Sequence, residues 1–152
     1  MERRNFLKDC ALTGAATVAF STGLLTPAIA FAEEFDPFQA TSVDAVLEAL
    51  DIGSAEASDQ INISVPMIAE NGASVPVVID SRIAGTTEII TIVAENPKPL
   101  AAKNRFGKGS VPSVSSRMKM GQTTGGIALV NAGDRYYTSK STVKVTIGGC
   151  GG

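Results

Sequence analysis

Every residue from Thr86 to Val93 except Glu88 is β-branched. Such side chains are stiff at χ1 and fit a pleated sheet better than a helix, so the run reads as a strand continuing to Ala94. It does not alternate with polar residues, which predicts burial on both faces. The rest of the chain is consistent with that strand. There is no tryptophan and few aromatics, so the core has to be built from Val, Ile, Leu, Met and Ala.

Alternation places further strands. Ile61, Ile63 and Val65 alternate with polar residues, and a Glu70-Asn71-Gly72 turn leads into Val75 through Ile79. Pro66 and Pro76 assign these two to edge or irregular positions, because proline donates no ladder hydrogen bond. Val114, Ser116, Met118 and Met120 alternate with Ser115, Arg117 and Lys119, a half-buried strand whose methionines read as core filler rather than a metal or partner box. Ile127 to Val130 and Tyr136 to Ile147 form a hairpin across Asn131-Ala132-Gly133-Asp134. Between them, Asn96-Pro97-Lys98-Pro99 opens a loop that continues as a mobile Gly/Lys-rich stretch to Pro112, with a basic 98–108 segment. One helix precedes the strands: Thr41 or Ser42 caps residues 43–50, with Val43, Val46, Leu47 and Leu50 on one face. The fold class is therefore all-β, an antiparallel sandwich of about five to seven short strands with a short N-terminal helix.

The chain's start has the layout of an export leader. Arg3-Arg4 is followed by Phe6-Leu7-Lys8 and an uncharged, weakly apolar stretch from Cys10 to Ala32. Ala28-Ile29-Ala30 and Ala30-Phe31-Ala32 close it with small-x-small sites. This is a secretory signal, and the paired arginines indicate the twin-arginine (Tat) route. Its glycines, threonines and Pro27 argue against an uncleaved membrane anchor, and no apolar-small run precedes Cys10 as lipidation requires. Cleavage after Ala32 divides the chain into a leader, residues 1–32, a sandwich domain, residues 33–147, and an arm, residues 148–152. Ten basic and thirteen acidic side chains remain. A weakly acidic exported domain is not built for nucleic acid. The charges are segregated: residues 33–95 hold twelve acids and Arg82, while residues 96–152 hold nine bases and Asp134. Two arrangements fit this, a basic surface near the arm or interleaved strands that neutralise one another.

Cleavage also leaves a single cysteine, Cys150, between Gly148-Gly149 and Gly151-Gly152. An odd cysteine in an exported chain pairs with another molecule or is kept free. With no histidine and no second cysteine, a zinc, copper or haem site has no ligand set, so no cofactor is expected. Glycines give the tail no packing partner and no fixed conformation, so Cys150 reads as a thiol on a flexible arm of roughly 10 Å from Ile147. Nothing adjacent in sequence lowers the thiol's pKa from its ordinary value of about 8.5, and the terminal carboxylate opposes ionisation. Such a thiol becomes useful when a partner's pocket supplies the base, metal or electrophile. Tat export handles folded chains; without a cofactor, the reason left is a folded cytoplasmic subunit carried along.

The tail Val143-Lys144-Val145-Thr146-Ile147-Gly148-Gly149-Cys150-Gly151-Gly152, with the twin-arginine leader, resembles the SoxY family, sulfur-carrying subunits of the bacterial thiosulfate-oxidising (Sox) system. Asn96-Pro97-Lys98-Pro99-Leu100 adds a weaker likeness. The resemblance implies an immunoglobulin-like sandwich in a periplasmic heterodimer with SoxZ. It implies that Cys150 holds the sulfur intermediates covalently, that Gly148, Gly149, Gly151 and Gly152 let it thread narrow active sites, and that the chain itself catalyses nothing. SoxAX would join thiosulfate to the thiol, SoxB would hydrolyse off sulfate, and SoxCD, where present, would oxidise the remaining sulfur. Two other readings use the same residues. A C-terminal thiocarboxylate carrier would place sulfur on Gly152, and a structural domain would use Cys150 to link two copies.

Overall fold

The structure is a computed structural model, and residues 35–146 are described. The expected leader at 1–32 and the arm at 148–152 lie outside them, as does Ile147. Asp36 caps a 3-10 turn, Pro37–Gln39, and Ser42 caps helix α1, Val43–Ala49, its Oγ accepting the Ala45 N–H at 3.1 Å. Of the two expected caps, Ser42 is the one used. The cap satisfies a backbone donor that the first helical turn leaves without a partner.

Nine strands follow: β1 Glu56–Ala57, β2 Ile61–Ser64, β3 Ile68–Ala69, β4 Val75–Ser81, β5 Thr86–Val93, β6 Leu100–Arg105, β7 Ser113–Met118, β8 Thr124–Ala132 and β9 Arg135–Val145. They form two sheets. The larger runs β1-β9-β8-β5-β6, with β3 also beside β9, and the smaller runs β2-β4-β7. All pairings are antiparallel except those of β1 and β3, which lie parallel to β9 at different points of its outer edge. The result is an immunoglobulin-like β-sandwich.

Strand β5 is buried on both faces over most of its length, as its composition predicts, and lies between β8 and β6. Ile89 and Val93 face the core between the sheets, which Val75, Val77, Ile79, Met118, Met120, Val130 and Val143 also fill. Ile90 and Ile92 face the other way and pack under Ala40, Val46 and Ile52 of the N-terminal segment. The helix therefore roofs the outer face of the large sheet. The hairpin turns through Gly133-Asp134, with Ala132 opposite Arg135 and Gly133 at φ +71°, the left-handed conformation a two-residue turn demands of its first residue.

Two expectations are corrected. The stretch to Pro112 is not all loop: Leu100–Arg105 is an edge strand, held to β5 from Ile92↔Leu100 to Glu88↔Arg105. The buried Glu88 carboxylate accepts from Arg105 Nε at 3.2 Å and lies 3.7 Å from Lys103 Nζ. The strand of Pro76 is central in its sheet, not an edge. Proline is tolerated because β2 pairs only residues 78–81 of β4, leaving Pro76 exposed with β7 alone beside it. The charge-segregated halves do interleave, β5 lying between β6 and β8, yet among the described residues the ion pairs are only those of Glu88.

Candidate functional site: the root of the arm

Cys150, Gly148, Gly149, Gly151 and Gly152 lie outside the described residues, so the structure places none of them. What it does place is the ground from which they depart. Residues 141–146 alternate as read: Val143 is buried, Val145 half-buried, and Thr142, Lys144 and Thr146 are exposed. The strand ends at Val145, two residues short of the expected Ile147.

Both flanks of this last stretch are tied. On one side Thr124 pairs with Val143, and the Val145 N–H donates to Thr123 Oγ1 at 3.1 Å, a side chain continuing the ladder past β8. On the other side the Lys144 N–H donates to the Met67 carbonyl at 2.9 Å and the Thr146 N–H to the Ala69 carbonyl at 3.0 Å. Thr146 is thus the last residue held by the sheet among those described. We predict that Thr123→Val, similar in shape but without the acceptor, costs about 1 kcal/mol and speeds amide exchange at Val145. Unchanged exchange there would show that the threonine does not secure the root.

The neighbouring loops close the same end. The Met120 N–H donates to the Gly72 carbonyl at 2.7 Å, Asn96 Nδ2 donates to the Lys119 carbonyl at 2.7 Å, and the Gly121 N–H donates to Asn96 Oδ1 at 3.3 Å. Gly72 is required by close approach: a Cβ there would meet the Met120 carbonyl oxygen at 2.3 Å and Val145 Cγ1 at 2.8 Å. An open cavity of about 320 Å³ lies over this junction, lined by Glu70, Asn71, Lys119, Gly121 and Thr146 among others. Sequence reading marks Glu70-Asn71-Gly72 as a turn but misses its contact with the arm root, because Met120 and Val145 are distant in sequence. Thr123 carries no local signal either.

The described residues include no group of three or more His, Cys, Asp or Glu side chains placed to hold a metal ion. No described helix is long and apolar enough to cross a membrane. The exposed loops and the fixed strand end form an anchor for the residues that follow Thr146.

Comparison with known proteins agrees with this anatomy. The family model described as sulfur oxidation protein SoxY matches residues 48–150. The sulfur carrier protein SoxY from Chlorobium limicola f thiosulfatophilum superposes with a TM-score of 0.60 at 38% identity, covering 68% of this chain and 94% of that one. Two variants of the superoxide reductase (neelaredoxin) from Ignicoccus hospitalis share the fold at a TM-score of 0.50 and 14% identity; the matches cover 65% and 69% of this chain and 87% and 93% of theirs. No curated protein sequence matches. With a family match that runs from α1 to Cys150 itself, and a 38%-identical relative aligned over nearly its whole length, the chain belongs to the SoxY family of sulfur oxidation proteins.

Proposed function

We propose that this chain is a covalent sulfur carrier of periplasmic thiosulfate oxidation, with Cys150 as the attachment point. The observation that carries the reading is the junction at Thr146. A strand fastened on both edges ends one residue earlier, and soon after Thr146 comes Gly148-Gly149-Cys150-Gly151-Gly152, within a family match that reaches residue 150. A rigid root and a slim, thiol-bearing end divide the labour: the domain is handled by partners, and the thiol enters them. Gly148, Gly149, Gly151 and Gly152 add no side chain that would widen the peptide.

The chemistry balances with the electrons going to partners. Thiolate and thiosulfate combine as RS⁻ + S₂O₃²⁻ → RS–S–SO₃⁻ + 2e⁻, and SoxAX takes the electron pair. Water then cleaves the terminal S–S bond: RS–S–SO₃⁻ + H₂O → RS–S⁻ + SO₄²⁻ + 2H⁺, with SoxB as hydrolase. Where SoxCD is present it removes six further electrons from the bound sulfur, giving RS–SO₃⁻ from RS–S⁻ and three waters. In each step this chain supplies the cysteine sulfur that holds the intermediate and the peptide that presents it, while the partner supplies the catalytic groups. SoxZ is its heterodimer partner, residues 1–32 direct Tat export, and the mature chain begins at Glu33.

Intact mass of the protein from thiosulfate-grown cells, with and without mild reductant, followed by mapping of the C-terminal peptide, tests this reading. The expected result is reductant-labile sulfur or thiosulfonate mass on Cys150. Sulfur on the Gly152 carboxylate would transfer the case to a thiocarboxylate carrier. A bare thiol or a plain disulfide dimer under turnover would end the carrier reading.

A further inference from the structure

Two consecutive apolar residues beside the arm root face solvent: Met67 is 84% and Ile68 57% exposed. Scattered exposed apolar side chains need no explanation. Position sets this pair apart. Their backbone is not free, since the Met67 carbonyl holds the Lys144 N–H and Ile68 lies in register with Lys144 in strand β3. The pair is therefore displayed from a fixed edge about 5 Å from β9, the spacing between paired strands, one or two positions before the strand's end.

The length of chain beyond Thr146 says what covers them. Cys150 is the fourth residue beyond Thr146, which at full extension is about 13–14 Å. No active site can receive Cys150 unless its mouth comes within that distance of Thr146. The surface it meets there includes Met67 and Ile68 and, across the root, the exposed Lys119 and Glu70. The other strongly exposed aliphatic residue, Val111 at 79%, lies at the opposite end of the sandwich, before the first residue of β7. Strand β5, eight residues long, separates the two ends by about 25 Å. The arm cannot bring a partner's mouth to Val111.

We propose that Met67 and Ile68 are the docking contact for the enzymes that take Cys150 into a narrow pocket, and that such an enzyme carries an apolar socket at the rim of that pocket. This rests on the carrier reading above. Apolar contact suits a partner that must bind and release in every cycle, because a small patch seated near the point of entry aligns the arm without holding the complex together.

The test uses the heterodimer with wild-type, Met67→Ser/Ile68→Ser and Val111→Ser chains. It measures kcat/KM for enzymatic loading of Cys150 with thiosulfate and the rate at which a small aromatic disulfide labels the same thiol. The double variant is expected to lose about tenfold in kcat/KM, mostly through KM, with labelling rate, heterodimer and melting temperature unchanged and Val111→Ser equal to wild type. Met67→Ser alone, at a side chain 84% exposed, supplies the answer if the double variant does not fold. Unchanged loading overturns the proposal. Loss of the partner subunit also overturns it, since the patch then belongs to the permanent interface. Failure of the wild-type chain to load at all is a different result, and it removes the carrier reading instead.

Discussion

Cys150→Ser is expected to purify with the fold and partner subunit of the parent and to carry no sulfur, and thiosulfate turnover by a system reconstituted with it is expected to fall to background. The loss is complete because an S–S bond cannot form at a hydroxyl. Serine is nearly isosteric with cysteine, but its oxygen neither reaches the oxidation states of the intermediates nor ionises near neutral pH. The fold is untouched because both cores lie within the described domain, from Ala40 to Val143, and the substitution changes no atom of them. Stability should therefore stay within about 0.5 kcal/mol of the parent, the range of substitutions away from packed features. Normal turnover by the serine variant would remove Cys150 from the mechanism. If sulfur were then found on the Gly152 carboxylate, which serine leaves intact, the thiocarboxylate reading would replace it.

The sequence made some of this visible and hid the rest for physical reasons. A run such as Thr86–Val93 announces its strand because β-branching and burial act along the run itself, and the alternation of Val114, Ser116 and Met118 does the same for β7. Leu100–Arg105 gives no such signal. Its alanines, lysine and asparagine are poor strand formers, and it becomes a strand because the free edge of β5 and the Glu88 carboxylate beneath Arg105 and Lys103 hold it there. Strands β1 and β3 are two residues each, too short for any period, and exist only as pairings to β9. The proposed attachment residue is the reverse case. Cys150 stands out from composition and position alone, whereas the root that holds its arm depends on Thr123, Ala69 and Gly72, contacts between segments far apart in the chain.

The dependence on Gly72 predicts the largest stability loss from adding one methyl group at this end of the molecule. Gly72 has no left-handed backbone to excuse it; the reason for glycine is the 2.3 Å that a Cβ would leave to the Met120 carbonyl oxygen and the 2.8 Å to Val145 Cγ1. Neither neighbour yields cheaply. Met120 is 1% exposed and packs in the core between the sheets, so its backbone cannot retreat without unseating that side chain. Moving Gly72 away instead breaks the 2.7 Å bond from the Met120 N–H to its carbonyl. Overpacking of this kind costs about 1–3 kcal/mol, and the weakened hydrogen bond adds about 1 kcal/mol. For a domain of this size the two together lower the melting temperature by roughly 5–15 °C. Gly121→Ala is the matched control, a glycine in the adjoining loop with nothing within 4 Å of its added Cβ, and it should melt with the parent. Because Val145 is the second obstacle, Gly72→Ala should also speed amide exchange at Val145 and Thr146 more than in the rest of β9. If Gly72→Ala melts within a degree of Gly121→Ala, the junction is loose enough to absorb a methyl group, and the arm does not depart from a rigid root.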